Sequence, residues 1–293
     1  MSSLGWIRSA LFVPGNRPDR IDKAIKTKAD MVIIDLEDAV PISEKDVARK
    51  TVAEKLGAIG DHKVIVRTNG ISTPFFTDDL EAVMVPGIKG LIIPKLNDVE
   101  SMDRLHEQMC TIELQRSMPI TPVIIMIESA KAVANIHRIA CFRASPARLH
   151  SFAFGAADYT NDLGISISED GRELIYPRSR IAVASRAADM PPPLDTPYME
   201  NLKDMQALEK DALRAKQLGF GGKLCIHPDQ IEIVNRIFSP SAEEVQQAQK
   251  IVDVFEEARK KGIGVIQIDG KFIDKPVFER AKQILASRSS VSV

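Results

Sequence analysis

Eight short apolar runs, separated by segments whose apolar residues recur at helical spacing, constrain the fold more than any other feature of the sequence. Runs this short and this apolar are typical of strands buried on both faces, as in parallel sheets. They read SALFVPG, MVIIDLED, KVIVRTNG, GLIIPK, PVIIMIES, LHSFAFGAAD, PLDTPYM and GKLCIHP. Eight such strands with short connections predict an α/β fold, a (β/α)8 TIM barrel, over residues 1–238.

The remaining residues, 239–293, predict an extension of a different kind. A helix is expected over Ala242–Lys261, then a β-hairpin that turns at Asp269-Gly270, and a final helix over Val277–Ala286. Because the barrel is already complete, the hairpin and helix need another surface to cover them. We therefore expect this C-terminal extension to pack on a neighbouring subunit.

Charge and composition limit the classes of partner. The formal net charge of −1 argues against a nucleic acid or an anionic membrane as the main partner. No apolar run approaches the roughly 20 residues that span a bilayer, and the N-terminus lacks the long apolar region of a signal peptide. Cys110, Cys141 and Cys225 match neither a zinc pattern nor a disulfide framework. We expect a soluble, cytoplasmic protein.

Polar residues at the ends of the predicted strands indicate where chemistry takes place, because active sites of such barrels lie at the carboxyl ends of the strands. These residues are Pro14-Gly15, Glu37-Asp38, Arg67, Lys95, Glu128, Asp158, Asp195 and His227. Glu128 and Asp158 end consecutive runs, so their carboxylates converge if the two strands are neighbours. Two convergent carboxylates suit Mg2+, which leaves its other positions to water and substrate. The sequence predicts a magnesium site of an enzyme.

Simpler interpretations exist for the same side chains. Taken alone, Glu128 and Asp158 would be ion-paired strand ends, and Arg67 would only neutralise Glu37 or Asp38. Glu37 and Asp38 could bind metal-bound waters or fix Arg67. A supporting role is the interpretation that we prefer for these two carboxylates.

Two further residues have structural interpretations. His227 has a pKa suited to a catalytic base, but it precedes a proline at a strand-to-helix junction, which favours a structural hydrogen bond. Cys225 stands in an apolar strand, and we expect a buried, inert thiol.

Several segments together carry a family resemblance. The chain resembles the citrate lyase β-subunit-like (CitE-like) branch of the HpcH/HpaI aldolase superfamily, together with malyl-CoA and citramalyl-CoA lyases. The matching segments cover almost the whole chain in family order: RSALFVPGNRPDR, ADMVIIDLEDAVPISEKDVAR, VIVRTNG, IIPK, IIMIES, FAFGAADYTNDLG, LGFGGKLCIHPDQI and GKFIDKPVFERA.

The resemblance implies roles for particular residues. Glu128 and Asp158 would bind Mg2+, and Arg67 would contact the reacting carbonyl or carboxylate. Asp274 of FIDKP would reach into the site of a neighbouring subunit, as the corresponding aspartate does in the CoA-dependent members, although an aspartate of a hairpin could equally cap the final helix. The family is typically trimeric or hexameric, so the resemblance also implies a homo-oligomer.

The implied reaction is the retro-Claisen cleavage of a 3-hydroxyacyl thioester to an acetyl thioester and a 2-oxoacid. Such a reaction needs a cation or donor aimed at the enolate oxygen, which suits Arg67, and an acid for the enolate carbon, for which Asp274 is the candidate. Backbone amides of Gly155, Ala156 and Ala157 could bind the substrate carboxylate, since small residues permit close approach.

CoA is expected across the mouth of the barrel, where its phosphates need cations. Arg17, Arg20 and Lys23 follow the first strand and form the nearest cationic group, although they could equally be the solvated face of the first helix. Pro14 and Lys95, at the ends of their strands, complete the predicted substrate and CoA contacts.

The best single substrate is (S)-citramalyl-CoA, cleaved to acetyl-CoA and pyruvate. The alternatives are a malyl-CoA or β-methylmalyl-CoA lyase, the citryl-carrier-protein lyase (β) subunit of citrate lyase, an acyl-CoA thioesterase and a non-catalytic assembly subunit. The sequence reads LIIPK where citrate lyase subunits tend to read VRLPK, and CIHP where they tend to read LINP. These differences favour a free CoA thioester.

Overall fold

Eight parallel strands close into a barrel in which each strand pairs with the next along the chain and β8 pairs with β1. The structure, a computed structural model, describes residues 4–59, 63–142, 144–145, 147–260, 262 and 264–289. The strands are β1 (Ser9–Pro14), β2 (Met31–Asp35), β3 (Val64–Arg67), β4 (Leu91–Ile93), β5 (Val123–Ile127), β6 (Leu149–Phe154), β7 (Leu194–Asp195) and β8 (Gly222–Cys225). The predicted (β/α)8 barrel is confirmed.

Helices alternate with these strands along the chain. They are α1 (Pro18–Ile25), α2 (Lys45–Ile59), α3 (Phe76–Val83), α4 (Val99–Gln115), α5 (Ala130–Ala140), α6 (Ala156–Leu163), α7 (Ile175–Ala187), α8 (Met205–Gln217) and α9 (Gln230–Phe238). Short 3-10 turns at Ile42–Glu44 and Arg172–Leu174 precede α2 and α7. Within the ranges that the structure covers, no helix combines the length and apolarity needed to cross a membrane.

The barrel interior is filled by one apolar cluster to which each of the eight strands contributes. Its buried members are Ile7, Ala10, Met31, Ile33, Ile65, Ile92, Ile124, Met126, Ala153, Leu194 and Leu224. Successive side chains on a strand point to opposite faces of the sheet. Because Leu194 and Leu224 point into the barrel, their neighbours Asp195 and Lys223 point outwards, towards the helices.

A buried ion network lies on this outer face of β7 and β8. The Lys223 ammonium lies 2.5 Å from Asp195 and 2.6 Å from Asp211, and Arg178 of α7 pairs with the same two carboxylates at 2.9 and 2.8 Å. Asp195 and Lys223 are wholly buried. The prediction that Asp195 belongs to the residues of the barrel mouth is therefore wrong, because strand alternation directs its side chain away from the interior.

The seam at β7 is the weakest part of the barrel ladder. β7 has one residue pair with β6, Ala153 with Leu194, and two pairs with β8, whereas β1 and β2 share five pairs. A backbone ladder this short contributes few hydrogen bonds. The buried charges of Asp195 and Lys223 join the two strands where the ladder is thin.

The C-terminal residues form a second compact unit, Arg236–Val293, distinct from the unit Met1–Asn235. It contains α10 (Ala242–Lys260), an antiparallel hairpin of β9 (Ile266–Ile268) and β10 (Lys271–Ile273), and α11 (Lys275–Ser289). The predicted end of α10 at residue 261 lies outside the described residues. Asp269 and Gly270 have φ of 52° and 76°, as a two-residue hairpin turn with left-handed residues requires, so the predicted turn is confirmed.

Candidate active site

Four consecutive strand ends bring together a chain of charged groups at one end of the barrel. Arg67 Nη1 lies 3.2 Å from Glu37 Oε2, and Lys95 Nζ lies 2.8 Å from Glu37 Oε1. The backbone amide of Lys95 donates to Glu128 Oε1 at 2.5 Å. Arg67, Glu37, Lys95 and Glu128, which are far apart in the sequence, thus form one connected cluster.

Glu128 is the most deeply buried carboxylate of this cluster. It directly follows β5, as predicted, and is 3% exposed. Its second oxygen, Oε2, is buried and has no hydrogen-bond partner among the described residues. Burial, together with the negative charges of Glu37 and Asp158, raises the pKa of Glu128 to about 8. A buried carboxylate oxygen without a donor is the environment that a bound cation satisfies.

Asp158 lies on a helix and not, as predicted, at the end of a strand. β6 ends at Phe154, Gly155 is the N-cap residue of α6, and Asp158 falls in the first turn of that helix. The sequence run stays apolar across this junction because Gly155 and Ala156 are buried as deeply as the strand. Asp158 is half-buried and close enough to Glu128 for its charge to raise the Glu128 pKa.

Arg67 has a partner that sequence reasoning missed. Its Nε and Nη2 donate to the two carboxylate oxygens of Asp35 at 2.6 and 2.7 Å. Asp35 is wholly buried and also accepts the amides of Glu37 and Ala39, each at 2.9 Å. An acidic residue inside the run MVIID was the available signal. The guanidinium also lies 4.7 Å from the centre of the Phe12 ring.

The Arg67 guanidinium is consequently fixed on one side and faces the carboxylate cluster with the other. Glu37 and Asp38 lie 3.2 and 3.6 Å from Nη1, so the predicted pairing with these two residues is present but secondary to Asp35. Burial by itself would lower the pKa of Arg67, but the charges of Asp35, Glu37 and Asp38 outweigh it and raise the pKa. Arg67 remains a cation.

Lys95 is engaged with carboxylates on two sides. Its φ of 55° is left-handed, a conformation that few lysines adopt, and in it the amide reaches Glu128 while the ammonium reaches Glu37. Burial would lower its pKa, but the hydrogen bond and charge of Glu37 raise it. The Lys95 side chain is about half exposed, and its ammonium pairs with Glu37 and Asp38.

Two of the three amides predicted to hold a substrate carboxylate are already occupied. Gly155 N donates to Ile127 O at 3.0 Å, and Ala156 N donates to Thr196 Oγ1 at 3.1 Å. Ala157 is exposed and stands in the first turn of α6, where an amide has no partner within the helix. Of the three amides predicted to bind the substrate carboxylate, the Ala157 amide is therefore the remaining candidate.

The residues predicted to contact CoA lie around the end of β1 and the start of α1. Pro14 ends β1, and Arg17 is the N-cap residue of α1. Arg17 pairs with Asp19 through two contacts of 3.0 Å, and both side chains are about half exposed. Lys23 is exposed on α1. An exposed pair such as Arg17 with Asp19 is weak, so a phosphate could replace it.

Asp274, which belongs to the second unit, caps α11. Its Oδ1 accepts the Val277 amide at 3.2 Å and its carbonyl accepts the Phe278 amide at 3.0 Å. The side chain is half-buried. Within the second unit, Asp274 therefore acts as the N-cap residue of α11.

His227 and Cys225 lie at the end of β8. His227 is exposed, and its Nδ1 accepts the Asp229 amide at 3.3 Å, a local structural bond of the predicted kind. Cys225 is wholly buried, and burial raises the pKa of its thiol to about 12. Neither residue contacts the carboxylate cluster.

A cavity of about 760 Å³ opens beside the first turn of α6. Ala156, Thr196 and several residues of α8 line this cavity. Across the described ranges, no group of three or more His, Cys, Asp or Glu side chains converges as the ligands of one metal. A pair of carboxylates is sufficient for Mg2+, which retains several waters.

Comparison with known proteins finds relatives over nearly the whole chain. The family profile of HpcH/HpaI aldolase/citrate lyase matches residues 8–228. The citrate lyase subunit beta of Leuconostoc mesenteroides subsp. cremoris is 38% identical over 95% of this chain and 92% of its own length. A (3S)-malyl-CoA thioesterase of Cereibacter sphaeroides is 32% identical over 97% and 95%.

The fold is also that of solved structures. The protein CitE from Mycobacterium tuberculosis, in complex with magnesium, acetoacetate and coenzyme A, aligns with a TM-score of 0.77 and 27% identity. The alignment covers 98% of this chain and 99% of that one. The citrate lyase beta subunit from Mycobacterium tuberculosis, complexed with oxaloacetate and magnesium, aligns with a TM-score of 0.69 and 28% identity over 82% of this chain and 100% of that chain.

Proposed function

Because the chain belongs to the HpcH/HpaI aldolase/citrate lyase family, we propose that it is a Mg2+-dependent carbon–carbon lyase that acts on a 3-hydroxyacyl-CoA. The best candidate reaction is cleavage of (S)-citramalyl-CoA to acetyl-CoA and pyruvate. The relative from Mycobacterium tuberculosis has been solved with both magnesium and coenzyme A, which supports the cofactor and the thioester class. The resemblance to citramalyl-CoA lyases supports this acyl group.

The proposal rests on the unequal environments of the two carboxylate oxygens of Glu128. One oxygen is held by the Lys95 amide, whereas the other is buried without a donor and lies beside the helix turn of Asp158. The two carboxylates fit Mg2+, and Glu128 and Asp158 would hold it. When bound there, Mg2+ would lower the pKa of a chelated hydroxyl and stabilise the forming ketone.

Arg67 would stabilise the enolate of the departing acetyl thioester. Asp35 fixes the guanidinium through two hydrogen bonds, so Nη1 needs no reorganisation when negative charge develops on the enolate oxygen. Glu37 and Asp38 support this arrangement by orienting Arg67 and Lys95. Ala157 in the first turn of α6 would donate its amide to the substrate carboxylate.

CoA would lie over α1, with its phosphates near Arg17 and Lys23. Both side chains are exposed and Pro14 lies just before them. A phosphate bound there would replace Asp19 as the partner of Arg17, because the ion pair between the two side chains is solvent-screened.

The first test is incubation of the purified protein with citramalyl-CoA, with Mg2+ and with a chelator. Mg2+-dependent release of pyruvate and acetyl-CoA in equal amounts is the expected result. Free CoA with the hydroxyacid intact would instead assign the thioesterase activity named in the relatives from Cereibacter sphaeroides. If neither set of products forms, citramalyl-CoA is not the substrate. The same assay would then be repeated with malyl-CoA and afterwards with a carrier-bound citryl group.

We further propose a homo-oligomer, a trimer or hexamer, in which Asp274 protonates the enolate carbon in the site of a neighbouring subunit. Phe272 on β10 is 67% exposed and Val265 is 47% exposed, so the hairpin carries apolar side chains that a neighbouring subunit could cover. Asp274 directly follows this hairpin.

Asp274→Asn is expected to lose turnover, by at least about a hundredfold for a general acid, while the substrate still binds. Asparagine caps helices as well as aspartate does, so α11 remains capped. Mixing Asp274→Asn with Glu128→Gln subunits in equal amounts should restore about a quarter of the wild-type activity, because some sites then receive both native residues from two subunits. Unchanged turnover of Asp274→Asn would mean that Asp274 caps α11 and is not the general acid.

A further inference from the structure

The first turn of α6 lacks the local cap that helix N-termini usually have. Helices are commonly capped by Ser, Thr, Asp or Asn at the N-cap position, but this position is Gly155, and no side chain of the helix or its N-cap residue supplies the bond. The turn carries Asp158, a proposed Mg2+ ligand. Its position therefore depends on contacts from elsewhere in the fold.

Gly155 cannot be replaced by a capping residue because Glu128 lies against it. A Cβ at this position would lie 2.7 Å from the Glu128 Cβ and 2.8 Å from Glu128 Oε2. The first of these atoms is fixed to the backbone at the end of β5 and cannot move aside. The close approach of the two proposed ligand-bearing segments thus excludes a side chain where a cap would normally stand.

Thr196, which directly follows β7, supplies the missing cap from a neighbouring strand. Its Oγ1 accepts the Ala156 amide at 3.1 Å, and both residues are buried, with Thr196 4% and Ala156 1% exposed. The preceding residue, Asp195, is held by Arg178 at 2.9 Å and by Lys223 at 2.5 Å. The residue that precedes the acceptor is therefore anchored by the buried ion network.

We propose that Thr196 is a positioning residue for the metal site, which sets Asp158 relative to Glu128 by capping α6 from β7. The inference rests on the proposed Mg2+ site, and Thr196 itself does not contact the metal. Without its hydroxyl the Ala156 amide is buried and unsatisfied, and no other side chain in the described part of the protein accepts a hydrogen bond from the first turn of α6. The turn then shifts or frays, and the Asp158 carboxylate moves with it.

Thr196→Val tests the inference, because valine has the same shape as threonine and lacks the hydroxyl oxygen. The dissociation constant of Mg2+, measured by calorimetry without substrate, should rise about threefold to thirtyfold, the range that corresponds to loss of a helix cap. Thr196→Ser keeps the acceptor and should bind Mg2+ like wild type. Activity of Thr196→Val should also need more Mg2+ for half-saturation and recover when Mg2+ saturates.

The outcomes separate this inference from the proposed function. Equal Mg2+ dissociation constants for wild type and Thr196→Val, even with a lowered melting temperature, would overturn the positioning role and leave the lyase proposal intact. Failure of wild type to bind Mg2+ would overturn both. If Thr196→Val does not fold, Thr196→Ala removes the same acceptor without the added methyl, and the same increase in the dissociation constant is expected.

Discussion

Glu128→Gln is expected to abolish Mg2+-dependent turnover while making the metal-free protein more stable at alkaline pH. Glutamine has the shape of glutamate but is a poor ligand for Mg2+, which prefers charged oxygens. Turnover should fall by at least about a hundredfold, since the loss of an outer partner of a metal ligand alone can cost that much. Mg2+ should raise the melting temperature of wild type and leave that of the variant unchanged.

The gain in stability follows from the protonation of Glu128 in the metal-free protein. Its pKa is about 8 when folded, raised by burial and by the charges of Glu37 and Asp158, against an ordinary value of 4.5. Between these values the folded state holds a proton that the unfolded state has lost. Wild type therefore loses stability as the pH rises through this range, by on the order of 5 kcal/mol in full, whereas Glu128→Gln lacks this loss.

The measurement is urea unfolding in the presence of a chelator at about pH 5 and about pH 9, with the two proteins compared at each pH. Glu107→Gln is the matched control, because Glu107 is exposed on α4 and the same chemical change there should alter neither stability nor turnover. Equal pH dependence in wild type and Glu128→Gln would contradict the electrostatic account of this carboxylate.

Asp35→Ala is expected to cost about 3–5 kcal/mol of unfolding free energy, because it leaves a buried guanidinium without its bidentate partner. Asp35 is wholly buried, Arg67 is 8% exposed, and the amides of Glu37 and Ala39 lose their acceptor as well. In the fraction that still folds, Arg67 is free to turn towards Glu37 and Asp38. Turnover should then fall even after correction for the folded population.

Chemical denaturation followed by circular dichroism measures this loss. The matched control is Asp170→Ala, which removes the carboxylate of another Asp–Arg pair, in which Arg172 is 73% and Asp170 49% exposed. An exposed pair contributes little, so this variant should unfold like wild type. A similar small effect for Asp35→Ala would mean that Arg67 finds a substitute partner and that Asp35 does not orient it.

The strands and the hairpin could be predicted because their signals are local. Short apolar runs fit strands buried on both faces, and Asp269-Gly270 tolerates the positive φ that its turn requires. Glu128 is predictable for the same reason, since a charge directly after a buried strand stands out. The sequence places Asp158 on a strand, because hydropathy does not change where β6 gives way to the buried start of α6.

The partners within the site could not be predicted, because they depend on which strands are neighbours and on which face each residue occupies. Arg67 had three acidic candidates in one short segment, and only the register that pairs it directly with Asp35 decides between them. Thr196 and Asp195 are neighbours in the sequence, yet Thr196 caps α6 whereas Asp195 forms buried ion pairs with Arg178 and Lys223. A difference of one residue reverses the face of the sheet.

The thin ladder at β7 also bears on how this barrel avoids aggregation. A closed barrel has no edge strands, but opening at a seam would create two, and exposed edges recruit strands from other chains. If the barrel opens where pairing is shortest, between β6 and β7, these two strands become the new edges, and β7 carries Asp195. A charge on an edge disfavours strand addition, so Asp195, which belongs to the buried ion network of the closed barrel, also protects the edge of β7 when the barrel is open.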